Sequence, residues 1–448
     1  MAGNRTFQGP KGTRDFYPSR MAIRRHIEQA WHSASVDSGF EEIEGPMFEH
    51  LDLYTVKSGP EIVSQLFSFR REGGDDDYAM RPEFTPTLAR MAAAKGKSLP
   101  IPTKWYAIPA HFRAERPQRG RLREHNQWNV DLIGTTGPAA DIEVMSTALL
   151  ALERLGLTSE DVKLRVSHRE TVARVLSALG VPEDRLVDAF QLLDRRDKTD
   201  EETFRAKAAE LGLDSEGVAR FDAAARTTAS LSEPVSAIAD RIGIPVEAFE
   251  SLALLREGLV DAGLSEWCVI DIGIVRGLAY YTGMVFEVFD TRGAERAVAG
   301  GGRYDRLIEL FGGPSLPACG FGMGDVVLEL VLAEKGLLGA DDGASFLPRP
   351  DVFAVSTCEE GDAAMQSLLV ALRRGGLHAR RSYKTTRNVG KLLADAGRCG
   401  AHSAIILDQG IGERQVILKD LEGGEQEVLD VDGLVDRIRT LVSGRGGE

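Results

Sequence analysis

The stretch from residue 111 to residue 134 constrains the fold more than any other part of this chain, because its polar and apolar residues alternate along two arms. Successive side chains of a β-strand point to opposite faces, so the alternation predicts an antiparallel hairpin with one apolar and one polar face. The polar positions are His111, Arg113, Glu115, Gln127, Asn129 and Asp131. The arginine-rich connection, residues 116–123, adds a cationic lip that fits a small polar molecule beside a polyphosphate. A hairpin whose polar face simply meets water is the alternative.

Length and composition are those of an ordinary globular protein. The 448 residues suggest roughly three domains, and the net charge of -14 disfavours a protein that coats nucleic acid without selectivity. The N-terminal residues lack the apolar core of a signal peptide, and no run of about 18 apolar residues follows, so we expect a cytoplasmic protein without a membrane span. The four cysteines lie far apart and predict free thiols rather than a metal site.

Periodicity divides the chain into five parts. Helical spacing with stops at Gly180, Gly212 and Gly243 predicts an all-helical insertion, and alternating element types after a Gly/Pro/Asp-rich linker predict an α/β layer domain. In chain order, the parts are a strand-rich first part (1–168), the helical insertion (169–263), a strand-rich second part (264–337), the linker (338–350) and the α/β domain (351–448).

A second hairpin is predicted within residues 63–90, with an acidic tip. In its return strand Arg81, Glu83 and Thr85 share strand parity, so they are expected to point the same way. A carboxylate and a hydroxyl at a strand end suit the binding of an ammonium group. The alternative is a surface Arg–Glu pair of little energetic weight.

Glycine-bearing stretches mark the strand-rich second part. Residues 274–290 place two adjacent tyrosines before a β run, and residues 299–305 predict a glycine-rich turn that lets the backbone approach a ligand. Most glycine clusters are simple turns, so this signal is weak by itself. Residues 317–324 predict a strand of small residues, after which Asp325 is expected to cap a helix.

The α/β domain contains a one-sided charge distribution. Residues 363–394 include no acidic residue, but they include Arg373, Arg374, Arg380, Arg381, Lys384, Arg387 and Lys391. A solvated helix face with a loop explains such a pattern, and so does contact with the phosphates of a nucleic acid.

These stretches together resemble the histidyl-tRNA synthetases, a family of class II aminoacyl-tRNA synthetases, over nearly the whole chain. A predicted helix over 19–38 and a strand ending at Pro46 are similar to class II motif 1, and FRAERPQRGR with HNQWNVD is similar to motif 2. RGLAYYTG and GGRYD resemble the two signature stretches of the histidine enzymes. The last part resembles a class IIa anticodon-binding domain, most clearly in NVGKLLADAGRCGA.

The resemblance implies a fold and a reaction. The fold is an α+β class II catalytic domain, an antiparallel sheet flanked by helices, with a helical insertion and a C-terminal α/β anticodon-binding domain. The reaction joins L-histidine and ATP into histidyl-adenylate and pyrophosphate, and then transfers histidine to tRNA(His). Mg²⁺ is expected on the pyrophosphate oxygens rather than in a protein cage, and motif 1 is expected to form a homodimer.

The resemblance also assigns roles to residues. Arg113 and Arg276 are expected to be catalytic, by stabilising the α-phosphate from two sides. The residues expected to bind histidine are Glu83, Phe84, Thr85, Arg113, Gln127, Asp131, Arg276, Tyr280, Tyr281 and Tyr304. Those expected to bind ATP are Arg113, Glu115, Arg121 and Arg276. Those expected to contact tRNA are Gln118, Arg119, Arg380, Arg381 and Arg387. The family often has glutamate where this chain has Asp131.

One departure from the family pattern concerns ATP. Class II motif 3 usually carries an arginine after its glycines, and the aligned position here is Val327, with no arginine from residue 326 to residue 339. Either another cation replaces it, with Arg303, Arg306 and Arg123 as candidates, or ATP is held more weakly. We expect replacement in an active enzyme, because Arg113, Glu115, Arg276 and both tyrosines are intact.

Two other functions compete with the ligase. A synthetase-like regulatory subunit of ATP phosphoribosyltransferase senses histidine without charging tRNA, and the missing motif 3 arginine favours it. The α/β domain disfavours it, because that paralogue usually lacks one, and so does the retained Arg276. A different class IIa synthetase is the third alternative, and the RGLAYYTG stretch disfavours it.

Overall fold

The computed structural model describes residues 7–58, 60–196, 199–275, 280–293, 295–341 and 343–443. Two compact units divide the chain at Ser345/Phe346, inside the predicted linker. Within the described residues, none of the helices is both long and apolar enough to cross a bilayer.

The first unit contains a ten-stranded sheet and a separate three-stranded sheet. Its strands are β1 Glu41–Glu42, β2 Phe48–His50, β3 Ser68–Arg70, β4 Asp77–Met80, β5 Thr103–Ala107, β6 Ala110–Phe112, β7 Glu124–Ile133, β8 Val162–His168, β9 Thr228–Ser230, β10 Cys268–Asp271, β11 Met284–Asp290, β12 Ala299–Arg303 and β13 Ala318–Gly324. Its α-helices are α1 Pro18–Asp37, α2 Asp52–Ser58, α3 Thr85–Lys95, α4 Pro138–Arg154, α5 Arg169–Ala178, α6 Leu186–Asp194, α7 Glu201–Ala209, α8 Ser215–Ala225, α9 Val235–Ile242, α10 Glu250–Asp261, α11 Leu307–Leu310 and α12 Asp325–Glu334.

The large sheet has the order β1-β5-β7-β13-β12-β11-β8-β10-β9, with β6 paired to β7. Its strands are antiparallel except for the β1–β5 and β8–β10 pairs. The helix α1 packs on one face of this sheet, where Trp31 stacks on Trp128 of β7 at a centroid distance of 6.0 Å. The predicted α+β architecture, an antiparallel sheet flanked by helices, is confirmed.

The predicted hairpin of residues 111–134 is formed by β6 and β7, with His111 opposite His125. One prediction about its faces is wrong. His111 was assigned to the polar face, but its ring is fully buried and stacks on His125 at 5.5 Å. Burial lowers the pKa of both imidazoles, so both rings are neutral at neutral pH.

Residues 169–196 and 199–263 contain helices joined by turns, and one strand, β9, is described among them. The strand β9 joins the edge of the large sheet by pairing with β10. The predicted helix stops are confirmed, since Gly180, Gly212 and Gly243 have positive φ angles of 97°, 92° and 70°. The all-helical description of this insertion is wrong at the three residues of β9. A strand so short carries no detectable period, and pairing with β10 decides its conformation.

The second unit is the predicted α/β domain. A five-stranded sheet has the order β15-β14-β16-β17-β18. Its elements are β14 Val352–Ser356, α13 Glu359–Arg374, β15 Ala379–Arg381, α14 Val389–Arg398, β16 Ser403–Leu407, β17 Gln415–Asp420, β18 Gln426–Asp430 and α15 Leu434–Ser443. Asn388 caps α14, because its side chain accepts a hydrogen bond from the Lys391 amide at 3.0 Å.

Candidate active site

A small cavity of about 110 Å³ lies on the face of the large sheet opposite α1. Most of the residues predicted to bind histidine line it together: Glu83, Thr85, Arg113, Gln127, Asp131, Tyr280, Tyr281 and Tyr304. Asn129 lines it as well and was missed as a site residue, although it shares strand parity with Gln127 and Asp131. The polar face of the hairpin therefore encloses a pocket and does not simply meet water.

The chemical centre of this pocket is a buried carboxyl group. The hydroxyl of Tyr304 donates a hydrogen bond to Asp131, whose side chain is otherwise surrounded by protein. Burial raises the pKa of Asp131 to about 7 and raises the pKa of Tyr304 well above its ordinary value. Tyr280 meets Tyr304 edge to face at 5.9 Å and completes an aromatic wall. Such a carboxyl is suited to an N–H donor within a flat ring.

Glycines of β12 and β13 form the floor of the pocket. A methyl group on Gly320 would collide with Asp131 Oδ1, and one on Gly302 would lie 2.7 Å from the ring of Tyr281. The predicted glycine-rich turn at residues 299–305 is therefore wrong, because residues 299–303 form β12 in the middle of the sheet. The glycines are needed so that larger side chains can lie flat across neighbouring strands.

Both residues of the predicted ammonium grip are present at the cavity, whereas Arg81, predicted to point the same way, is not. Glu83 and Thr85 line the cavity, but Arg81 is 1% exposed and donates instead to the carbonyls of Gly45 and Ala110. The shared-parity prediction is wrong because β4 ends at Met80 and the chain has entered α3 by Thr85. Phe84 does not line the cavity, since its ring is buried in the core beneath it.

A larger cavity of about 610 Å³ adjoins the first, and Arg113 lines both. The Arg113 Nε donates to the carbonyl of Pro82 at 3.2 Å. Burial lowers the pKa of this guanidinium, while the nearby carboxylates of Glu83 and Glu115 oppose that shift. Arg276, predicted to act opposite Arg113, lies outside the described residues.

The loop of the hairpin shapes the larger cavity. Arg121 lines it and pairs with Glu115 at 3.0 Å. Gln118 and Arg121 exchange backbone hydrogen bonds of 3.0 and 2.9 Å, which close the tip of the loop. Arg119 at that tip is 72% exposed and donates to Glu295 at 2.8 Å.

Val327 is buried and lines the larger cavity. Arg303 cannot replace the motif 3 arginine there, because its buried guanidinium pairs with Asp141 at 2.7 Å. Arg123 donates to the backbone carbonyl of Glu115 at 3.2 Å. Neither of these two, nor the exposed Arg306, is among the described residues that line the cavity.

Asp325 does not cap α12 as predicted. Its carboxylate accepts from the Asn126 amide at 3.0 Å and pairs with Arg14 at 2.5 Å, while Gly324 occupies the cap position. The carboxylate therefore joins the motif 2 strand to the N-terminal segment.

The predicted tRNA contacts of the second unit lie in or just after β15. Arg380 is exposed, and Arg381 lies over the ring of Tyr383 at 4.9 Å. Arg387 pairs with Asp362 at 2.5 Å. Tyr383 is 85% exposed, so this surface offers an aromatic ring among cations.

Comparison with known proteins identifies the family. The sequence profile described as histidyl-tRNA synthetase matches residues 12–325. The chain belongs to this family. A histidine–tRNA ligase of Opitutus terrae is 39% identical over 427 residues, which are 93% of this chain and 94% of that protein. One of Natronomonas pharaonis is 37% identical over 423 residues, covering 94% and 95% of the two chains.

Solved structures of histidyl-tRNA synthetases share the fold. The crystal structure of the Nostoc sp. PCC 7120 protein matches with a TM-score of 0.78 at 22% identity, over 98% of this chain and 100% of that one. A Bacillus halodurans protein described as an ATP phosphoribosyltransferase regulatory subunit/histidyl-tRNA synthetase has a TM-score of 0.70 at 24% identity, over 90% and 99%. Membership of the histidyl-tRNA synthetase family thus rests on sequence, and these structures support the fold alone.

Proposed function

We propose that this protein activates L-histidine with ATP and transfers it to tRNA(His). The observation that carries the proposal is the position of Arg113, which lines both the small polar pocket and the larger cavity. A cation at such a junction can neutralise a carboxylate and a phosphate at once, which is what joining them requires. Relatives that match over more than nine-tenths of the chain are named histidine–tRNA ligases, which favours the ligase over the regulatory subunit.

Histidine occupies the small pocket in this proposal. Its imidazole N–H donates to Asp131, and its α-ammonium group lies against Glu83 and Thr85. This orientation points the substrate carboxylate at Arg113. Because the pocket is built from hydrogen-bonding groups, amino acids of similar shape without an imidazole leave buried partners unsatisfied and are rejected.

ATP occupies the larger cavity, with its α-phosphate beside Arg113 and Arg121. A carboxylate oxygen of histidine attacks the α-phosphorus and pyrophosphate leaves, so no protein nucleophile is needed. In the second step a hydroxyl of the terminal tRNA ribose attacks the carbonyl carbon, and AMP leaves. The protein contributes alignment and charge neutralisation.

Mg²⁺ accompanies the nucleotide in this proposal. The described residues contain no cluster of three side chains able to hold a metal ion. Glu287 and Asp290 do line the larger cavity, and one or two carboxylates with substrate phosphates suit Mg²⁺. These two residues would hold the ion, which would supply charge neutralisation on the leaving pyrophosphate.

The protein is further proposed to act as a homodimer. Phe48, which follows the motif 1 strand, packs against Phe69 of the same three-stranded sheet at a centroid distance of 5.8 Å, and the two residues are 47% and 43% exposed. An exposed aromatic cluster of this kind is typical of subunit interfaces. Sedimentation should show a dimer that Phe48→Glu dissociates, whereas Val246→Glu, at a similarly exposed position of the insertion, should remain dimeric.

The α/β unit is proposed to bind the tRNA, and the cytoplasm is the proposed compartment. Exposed Arg380 and Tyr383 suit phosphates and unstacked loop bases. All four cysteines are free, as expected of a reducing compartment.

Histidine-dependent ATP–pyrophosphate exchange, followed by charging of tRNA(His), tests the function. We expect exchange with histidine and with no other amino acid of a standard panel. Arg113→Ala should reduce exchange by roughly 100- to 1,000-fold, and Arg71→Ala, which removes an exposed arginine of the second hairpin, should leave it unchanged. Exchange without tRNA charging would favour a defective ligase, and absence of both would refute the proposal.

A further inference from the structure

The nucleotide cavity needs a cation that its own motif 3 does not supply. The position that carries arginine in the family pattern is Val327, which lines the cavity with an apolar side chain. Arg303 is buried in an ion pair with Asp141 instead. A replacement must therefore reach the wall beside Val327 from another element.

Arg296, in the loop between β11 and β12, reaches this wall. A methyl group on Gly120 would lie 3.3 Å from Val327 Cγ2 and 3.8 Å from Arg296 Cδ. The three residues therefore meet at one place, and all of them line the larger cavity with Arg113 and Arg121. The Arg296 side chain therefore borders the same part of the cavity wall as the Val327 side chain.

The side chain of Arg296 is exposed and available. Within the described parts of the chain, no hydrogen bond or ion pair engages it. Other arginines of the same cavity already have partners within the protein: Arg121 pairs with Glu115 at 3.0 Å, and the Arg165 guanidinium lies 3.9 Å from the ring centroid of Phe289. An uncommitted guanidinium facing a cavity is suited to a planar, bidentate contact with phosphate oxygens.

The backbone around Arg296 is held in place on both sides. The preceding residue, Glu295, accepts hydrogen bonds from Arg119 at the tip of the motif 2 loop. Two residues later, the Val298 amide donates to the carbonyl of Val288 at 2.8 Å. These contacts on both sides of Arg296 limit its movement, which reduces the entropic cost of ligand binding.

We propose that Arg296 replaces the motif 3 arginine by binding the triphosphate of ATP from the wall beside Val327. The inference rests on the proposed function insofar as it takes ATP as the ligand of the larger cavity. It adds a specific ATP-binding residue from a different part of the sequence, which explains how a chain with valine at position 327 can hold the nucleotide.

The test compares four variants of the full-length protein. Arg296→Ala removes the cation, Arg296→Lys keeps a charge without the fork, and Arg296→Ala with Val327→Arg restores an arginine at the motif 3 position. Arg292→Ala is the matched control, since Arg292 lies in the same loop and pairs with Glu334 outside the cavity. Titration calorimetry with Mg–ATP measures binding without histidine, and pyrophosphate exchange gives the KM for each substrate.

Arg296→Ala should weaken ATP binding roughly 10- to 100-fold, the effect of losing a charge-assisted contact, with an unchanged KM for histidine. The ATP affinity of Arg296→Lys should lie between those of the wild type and Arg296→Ala. The double variant should recover the ATP affinity of the wild type, and Arg292→Ala should bind ATP as the wild type does. Wild-type ATP affinity in Arg296→Ala, or an equal change of both KM values, would overturn the inference. Calorimetry distinguishes failure of this inference from failure of the proposed function. If only the proposed function fails, the wild-type protein binds ATP but catalyses no pyrophosphate exchange.

Discussion

Replacing Asp131 by asparagine should stabilise the unliganded protein at neutral pH while it impairs histidine binding. The carboxyl has an ordinary pKa of 3.8 in the unfolded chain and a pKa of about 7 in the folded protein, because burial penalises the charged form. Between these values the folded state keeps a proton that the unfolded chain has released. Stability of the wild type therefore falls as the pH rises from about 4 to 7, and stays low above pH 7.

The size of the effect follows from the shift. A shift of about three pKa units lowers the stability of the wild type by ~4 kcal/mol at pH 8. Asparagine avoids this cost because it never ionises. Its amide oxygen can still accept from the Tyr304 hydroxyl. The stability difference between Asp131→Asn and wild type should thus grow by ~2 to 3 kcal/mol between pH 5 and pH 8.

Urea unfolding followed by tryptophan fluorescence measures this difference. All four tryptophans, Trp31, Trp105, Trp128 and Trp267, lie in the first unit with Asp131, so the signal reports on that unit. Asp75→Asn, at an exposed site, controls for the loss of one surface charge. A pH-independent difference would refute the buried-carboxylate argument. In exchange assays the same variant should raise the KM for histidine roughly 10- to 100-fold, and an unchanged KM would remove Asp131 from the imidazole site.

Two further predictions concern other parts of the molecule. Gly302→Ala should displace the ring of Tyr281, which its methyl group would meet at 2.7 Å, so we expect a higher KM for histidine and a loss of ~1 to 3 kcal/mol in stability. Gly397→Ala, with open space around it in helix α14, should leave the KM unchanged without lowering stability. Charge reversal of Arg380 and Arg381 should weaken tRNA charging, increasingly at higher salt, without changing pyrophosphate exchange; an equal loss of both activities would contradict a role confined to tRNA.

The sequence predicted the hairpin at residues 111–134 because strand periodicity is a local property that needs no knowledge of the rest of the chain. Prediction from the sequence failed where a residue's spatial neighbours are far away in the sequence. The sequence suggested Arg81 as a partner of Glu83, yet the buried Arg81 side chain donates hydrogen bonds to the carbonyls of Gly45 and Ala110. The glycines of residues 299–305 looked like a turn, yet they form a strand whose missing side chains make room for Tyr281.

By itself, the sequence determined the order of the elements apart from β9 and β12, the family, and the set of polar groups from which a histidine pocket can be built. Only the tertiary structure decided how these groups meet. The pairing of β7 with β13 places Asp131 over Gly320, and the loop after β11 brings Arg296 to Val327. Such contacts depend on strand register and chain crossings between residues far apart in sequence, where local periodicity carries no information.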